Sequence, residues 1–219
     1  MKVYWVPKGG KRMKQDAELR ETVVATTPIF QGRVLEVETW QVSLPDGRTA
    51  GREIVLHNGA AAVVPVDARG NVTLVRQHRV AIDRVTLEIP AGKLDFKEED
   101  PFECARRELE EETGLKAGKW QKMAHVVTTP GFCTERIALY LATELSQAAP
   151  HADPDEFLRL VRMPLAEAVQ KVMRGEIEDA KTCLGLLMAQ GILGAPAFLW
   201  PETGLKPGAA RNAYPQAKG

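Results

Sequence analysis

Glu108, Glu111 and Glu112 stand three and four positions apart in the run Arg107-Glu108-Leu109-Glu110-Glu111-Glu112-Thr113-Gly114-Leu115. On a helix those offsets gather three carboxylates on one face. For stability alone the placement is poor. Like charges at this spacing repel by roughly a few tenths of a kcal/mol per pair, and acids near a helix C-terminus oppose the macrodipole by roughly 0.3–1 kcal/mol each. A bare glutamate run is most often a solvated acidic face. A divalent cation turns the liability into a site, because hard carboxylate oxygens suit Mg²⁺. A cation so held stabilises negative charge that develops in a transition state and acidifies a bound water.

The elements that must position this chemistry are legible on either side of it. Leu87, Ile89 and Pro90 end an apolar strand, and Ala91-Gly92 permits a sharp turn. Asp100-Pro101 starts a helix, with Asp100 as N-cap, Pro101 at the first helical position and Glu103 completing a capping-box pattern. At about 100° per residue Phe102, Ala105, Leu109 and Thr113 form the face that packs on a sheet, and Gly114 ends the helix where a left-handed residue is wanted.

This segment resembles the box of the Nudix hydrolases, G-x5-E-x7-R-E-U-x-E-E-x-G-U with U apolar. Arg107 to Leu115 match its second half without a gap. The first half carries one extra residue: counting back from Arg107 puts the first Glu at Glu99, and counting on from Gly92 puts it at Glu98. Loops absorb insertions more cheaply than helices, so the helix register favours Glu99.

The rest of the chain supplies a scaffold. Residues 1–19 are a basic arm without periodicity. Residues 20–57 hold three β-rich runs, 22–30, 33–44 and 49–57, separated by turn signals at Gln31-Gly32 and Pro45-Asp46-Gly47. Neither face of that small sheet is cleanly apolar or polar, so it needs a partner to pack against. Residues 58–193 carry strands at 59–66, 72–80, 86–89, 120–129, 135–145 and 157–163, the box helix, and helices at 165–174 and 179–193. Leu165, Ala168, Val169 and Val172 mark the buried face of the first of these helices, and Leu184, Leu187 and Met188 that of the second. Residues 194–219 are a Gly/Pro/Ala-rich tail. The expectation is an α/β fold, a Nudix-type α/β/α sandwich with a mixed sheet, plus a small N-terminal antiparallel sheet.

Flanking phrases resemble the ADP-ribose pyrophosphatase branch: Phe30-Gln-Gly-Arg-Val, Gly51-Arg52-Glu53, Val75-Arg-Gln-His-Arg79, Leu87-Glu-Ile-Pro-Ala-Gly92, Thr129-Pro-Gly-Phe-Cys-Thr-Glu135-Arg136 and Gly175-Glu-Ile-Glu-Asp-Ala-Lys-Thr182. His78 stands where that branch more often has Tyr. The resemblance implies hydrolysis of ADP-ribose to AMP and ribose 5-phosphate with Mg²⁺, Mn²⁺ being the alternative. It implies metal ligands at Glu108, Glu111, Glu112 and the Ala91 carbonyl, with Glu111 also supporting catalysis. Glu156, in the acidic loop His151–Glu156, takes the place of the base that activates water. Arg79 meets the diphosphate, Phe30 and Arg52 hold the adenine by stacking and cation contacts, and Glu135 lies near the terminal ribose or the metals. It further implies a homodimer whose N-terminal strands are exchanged.

Composition narrows the partners. A net charge of zero leaves no electrostatic footprint for nucleic acid or membrane. Cys104, Cys133 and Cys183, odd in number and far apart, read as reduced thiols, and the four histidines show no zinc spacing. With no apolar run of membrane-spanning length and no secretory h-region, the expected location is the cytoplasm. The nearest rival is a pyrophosphatase for another nucleoside diphosphate sugar. A rival of a different class is a catalytically silent ADP-ribose-binding sensor. Such regulators append a DNA-binding domain or lose box glutamates, whereas all three helix glutamates stand here.

Overall fold

The computed structural model describes residues 16–148 and 157–194. In chain order these form β1 (Thr22–Gln31), β2 (Glu36–Ser43), β3 (Thr49–Leu56), β4 (Ala60–Pro65), β5 (Asn71–Arg79), β6 (Arg84–Glu88), β7 (Ala91–Lys93), α1 (Pro101–Thr113), β8 (Leu115–Val127), β9 (Arg136–Gln147), β10 (Arg159–Pro164), α2 (Leu165–Met173) and α3 (Ala180–Ile192). The strands make three sheets, ordered β1-β2-β3, β10-β5-β6 and β7-β4-β9-β8. Two compact units divide the chain. One takes the described residues through Ala62 with Ala91–Glu108 and Ala124–Leu139; the other takes Val63–Pro90, Leu109–Met123 and the described residues from Tyr140 onward.

In the first unit β1, β2 and β3 are antiparallel throughout. The β2–β3 hairpin closes where expected: Gly47 adopts φ +84°, Leu44 and Arg48 pair through their backbones, and the Asp46 carboxylate accepts from the Arg48 N–H. All ten residues of β1 are exposed in a single chain, Val24, Ile29 and Phe30 among them. Ala61, Ala62, Leu94, Cys104, Ala105 and Leu139 are the buried residues around which this unit closes.

In the second unit β5 pairs with β6 and β10 in antiparallel register. Val63, Val64, Val72, Leu74, Val75 and Ile89 are fully or almost fully buried, as a continuous apolar run implies. The face α3 buries differs from the expected Leu184, Leu187 and Met188. Thr182, Gly185, Leu186 and Ala189 are inside, and Leu184 is exposed. Close approach decides it. A Cβ on Gly185 would meet Val64 at 3.0 Å and Ile89 at 3.1 Å, so the small residues face the strands and the larger leucine is turned away. On α2, Leu165, Ala168 and Val169 are buried as their spacing predicts.

Three further expectations shift. Ala91-Gly92 is the start of a short strand, β7, paired with Ala60–Ala62 of β4, and not a free turn. β8 begins at Leu115, five residues before the expected Trp120, because the chain reverses at Gly114 and Gly118 packs directly on Glu144 of the neighbouring β9. Asp100 caps α1 through the Phe102 N–H at 2.9 Å, but the Glu103 carboxylate accepts from Arg106 and so does not serve a capping box.

Candidate active site

Helix α1 is amphipathic with a charged edge that is itself buried. Cys104, Ala105 and Leu109 are wholly inside, Thr113 is buried, and Gly114 ends the helix at φ +65° with its N–H on the Glu110 carbonyl at 2.8 Å. Glu108 and Glu112, one turn apart, are 8% and 7% exposed, and Glu111 is half-buried. A solvated acidic face would leave these groups in water. Two buried carboxylates instead demand compensating positive charge. Arg107 supplies part of it, donating from Nη1 to Glu108 Oε1 at 2.7 Å.

Gly92 explains the position of the Glu108 carboxylate. A Cβ built on Gly92 would fall inside it, against both oxygens. Only glycine leaves room there. The same Arg107 also gathers the loop before the helix: its Nη2 lies 3.7 Å from Glu99 Oε1 and from Asp95 Oδ2. Glu99 turns inward and accepts from the Asp95 N–H at 2.6 Å, while Glu98 is exposed. The helix register thus names the acid that touches the box arginine. Cys104 is a bystander. Burial first, and then the charge of Glu108, push its thiol up to about 12, so it stays protonated against the carbonyls of Gly92 and Lys93.

Among the described residues no three acidic or imidazole side chains converge at coordinating distance as they stand, the Glu108 carboxylate being turned onto Arg107. The donor set still suits a hard divalent cation: buried, oxygen-only carboxylates one turn apart, one of them lying in the gap left by a missing Cβ. Glu108, Glu111 and Glu112, along one edge of α1, would hold such an ion.

Arg79, at the end of β5, is locked in place. Its Nε donates to Glu88 Oε1 at 2.8 Å and its Nη2 to Glu88 Oε2 at 2.7 Å. Glu88 is 2% exposed, and Thr86 Oγ1 (2.6 Å) and Lys181 Nζ complete its shell. Burial raises the Glu88 carboxyl, but Arg79, Lys181 and Thr86 together outweigh it and hold the group at about 2. The hydrogen bonds to Glu88 raise the Arg79 guanidinium above its usual value despite burial, with Asp179 and Glu112 adding to the pull. Asp179 in turn caps α3, accepting from Thr182 N and Lys181 Nζ at 3.0 Å each, and Thr182 Oγ1 accepts from Ile89 N at 2.9 Å.

Phe30 and Arg52 both lie on the N-terminal sheet, and strand register separates them. Phe30 pairs with Val37, which pairs with Val55; Arg52 pairs with Trp40, which pairs with Thr26. Val55 and Arg52 are three apart, so the two side chains project from opposite faces. One copy of the sheet cannot clamp a ring between them. Phe30 is 57% exposed, and Arg52 is engaged by the Glu21 carboxylate and the Gly51 carbonyl. Glu135 sits on a loop zipped to the end of β3: the Val55 N–H donates to the Phe132 carbonyl, the Thr134 N–H donates to the Val55 carbonyl, and Glu135 Oε1 lies 3.7 Å from His57 Nδ1. Glu156 and the acidic loop lie outside the described residues.

Glu88, Asp179, Lys181 and Thr182 escaped the sequence reading, although two of the flanking phrases contain them. A usable signal was there. A lone acid between Leu87 and Ile89 in an apolar strand requires a cation.

The chain matches the NUDIX domain over residues 56–182. It is 41% identical over 174 residues to the ADP-ribose pyrophosphatase of Bacillus subtilis (strain 168), covering 78% of this chain and 94% of that one. A protein of Bacillus methanolicus named methanol dehydrogenase activator is also 41% identical, over 172 residues, covering 78% and 92% of the two chains. Among solved structures, an ADP compounds hydrolase superposes with a TM-score of 0.71 at 23% identity, over 80% of this chain and 96% of the other, a likeness of fold.

Proposed function

The chain belongs to the NUDIX family, and from that premise we propose that it is a Mg²⁺-dependent hydrolase that splits ADP-ribose into AMP and ribose 5-phosphate. One observation carries the reading most: the buried pair Glu108 and Glu112 on one helix edge, with the Glu108 carboxylate in a gap only Gly92 leaves open. Carboxylates buried there lower stability unless they serve a cation. When bound, Mg²⁺ clamps the diphosphate oxygens, offsets transition-state charge and acidifies water.

The residues divide the remaining work. Glu108, Glu111 and Glu112 supply the acidic ligands, and the Ala91 carbonyl completes the set. Arg79, already oriented, takes a diphosphate oxygen. Water attacks one phosphorus, the bridging P–O bond breaks, and Glu156 accepts the proton. Glu156→Gln is expected to lower kcat by roughly 10²–10⁴-fold with little change in KM, and Asp153→Asn or Asp155→Asn much less. Phe30 and Arg52 hold the adenine, and Glu135 faces the terminal ribose. Because Phe30 and Arg52 leave opposite faces of one sheet, their joint use of one adenine supports a homodimer in which two copies of residues 20–57 contribute. The wholly exposed β1, with Val24 and Ile29 in water, supports the same assembly. Among the described residues no helix is long and apolar enough to cross a membrane, and we place the enzyme in the cytoplasm.

The name of the Bacillus methanolicus relative describes an effect on another enzyme and specifies no reaction. The decisive experiment is a panel of ADP-ribose, other nucleoside diphosphate sugars and nucleoside triphosphates at saturating Mg²⁺, with AMP and phosphate monoester release measured. ADP-ribose should give the highest kcat/KM. A higher value for another nucleoside diphosphate sugar would transfer the assignment to that substrate, and binding of ADP-ribose without turnover would replace the enzyme by a sensor.

A further inference from the structure

Arg79 is half in water, with its side chain 43% exposed, yet two of its three guanidinium nitrogens are already committed to Glu88. Nη1 has no acceptor among the described residues. Glu88 is equally constrained. Oε1 accepts from Arg79 Nε and Thr86 Oγ1, and Oε2 accepts from Arg79 Nη2 and Lys181 Nζ. A carboxylate with four donors on two oxygens cannot rotate without losing charge-assisted bonds. Its position is fixed from two elements at once. Thr86 lies on its own strand, and Lys181 is on the first turn of α3, where Asp179 holds it at 3.0 Å. The backbone beside Glu88 is tied to the same turn through the Ile89 N–H and Thr182 Oγ1.

Such a shell is more than a surface ion pair needs. We infer that Glu88 is a positioning residue for substrate binding, gripping one edge of Arg79 so that the remaining nitrogen is presented to a diphosphate oxygen before substrate arrives. Resting on the reading of Arg79 as the diphosphate contact, this assigns a purpose to Glu88, Lys181 and the Asp179–Thr182 cap. A long arginine ordered in advance loses less conformational freedom on binding. Lys181 divides the charge of Glu88, so Arg79 keeps an uncompensated share of its own for the ligand. Loss of Glu88 leaves Arg79 and Lys181 as neighbouring cations that repel, and the guanidinium swings away.

The test is a double-mutant cycle on the full-length protein with ADP-ribose and Mg²⁺, comparing Glu88→Gln, Arg79→Ala and the double variant for kcat, KM and Tm. Glu88→Gln should raise KM roughly tenfold or more, with kcat changed by less than about threefold. In the Arg79→Ala background it should have almost no further effect on KM, because its target is gone. A merely structural Glu88 would lower Tm and leave KM within about twofold, or would raise KM by the same factor in both backgrounds; either result overturns the inference. If Arg79→Ala itself leaves KM unchanged, the diphosphate assignment of Arg79 fails instead, which separates the two readings. Should Glu88→Gln not accumulate as folded protein, Glu88→Gln with Lys181→Met removes a cation together with the anion and carries the same comparison.

Discussion

Replacing Gly92 by alanine adds one methyl group at the point where β7 meets the Glu108 carboxylate. The added Cβ would overlap that carboxylate's carbon and both of its oxygens. Something must give. The helix cannot withdraw, since Cys104, Ala105 and Leu109 are packed with no exposure, and moving such a core costs roughly 1–3 kcal/mol. The far end of a glutamate moves more cheaply, so Glu108 swings out and surrenders its 2.7 Å bond from Arg107. Arg107 is about one-third exposed, and with solvent screening that loss is about 1 kcal/mol. Stability should therefore fall little, by ~2–4 °C in Tm for a chain of this size. Activity should fall far more, by roughly 100-fold or greater, since on the proposed reading Glu108 and Glu112 share a cation. The assay is kcat on ADP-ribose across a Mg²⁺ titration, with Tm read by calorimetry. Half-saturation should move to higher Mg²⁺. Gly191→Ala is the control: nothing lies within 4 Å of its Cβ, and Tm should hold or rise slightly. Retention of more than about a tenth of activity with unchanged Mg²⁺ dependence would refute the link between Gly92, Glu108 and the metal.

Glu112→Gln should keep its fold, within a few degrees in Tm, and lose more than about nine-tenths of turnover at saturating Mg²⁺; normal kcat would remove Glu112 from the metal site. Glu88 is held at about 2 against an ordinary 4.5, so the folded state binds fewer protons than the unfolded one between those values. Its contribution, on the order of 3 kcal/mol, is present above about pH 4.5 and is lost as pH falls toward 2. Denaturation midpoints in that window should drop more steeply for the wild-type protein than for Glu88→Gln, and parallel profiles would contradict the assignment. Deleting residues 1–57 should yield aggregated or unfolded protein by light scattering and circular dichroism, whereas a soluble, active monomer would end the case for dimerisation through that sheet.

Local chemistry alone located α1. Asp100 caps it, Pro101 opens it and Gly114 closes it because each relies on backbone groups within a few residues. The shared face of Glu108 and Glu112 follows from helical spacing for the same reason. The helix register favoured Glu99 over Glu98, and it is Glu99 whose carboxylate lies 3.7 Å from Arg107. Burial was not legible: whether an acidic edge meets water or protein depends on what packs on it, and Gly92 is sixteen positions from Glu108. Nor could composition select the inner face of α3. Leucine is the more apolar choice, but the helix comes closest to the strands at Gly185, where a Cβ would meet Val64 and Ile89, and that approach turns Leu186 inward and Leu184 out. The Glu88 shell is the plainest case. Its partners Arg79, Thr86 and Lys181 are spread over more than a hundred residues, and only the pairing of β5 with β6 and the docking of α3 bring two cations onto one buried carboxylate. Hydrogen bonds and charge interactions act over a few ångströms in space, so tertiary structure alone decided which of the chain's acids and bases would meet.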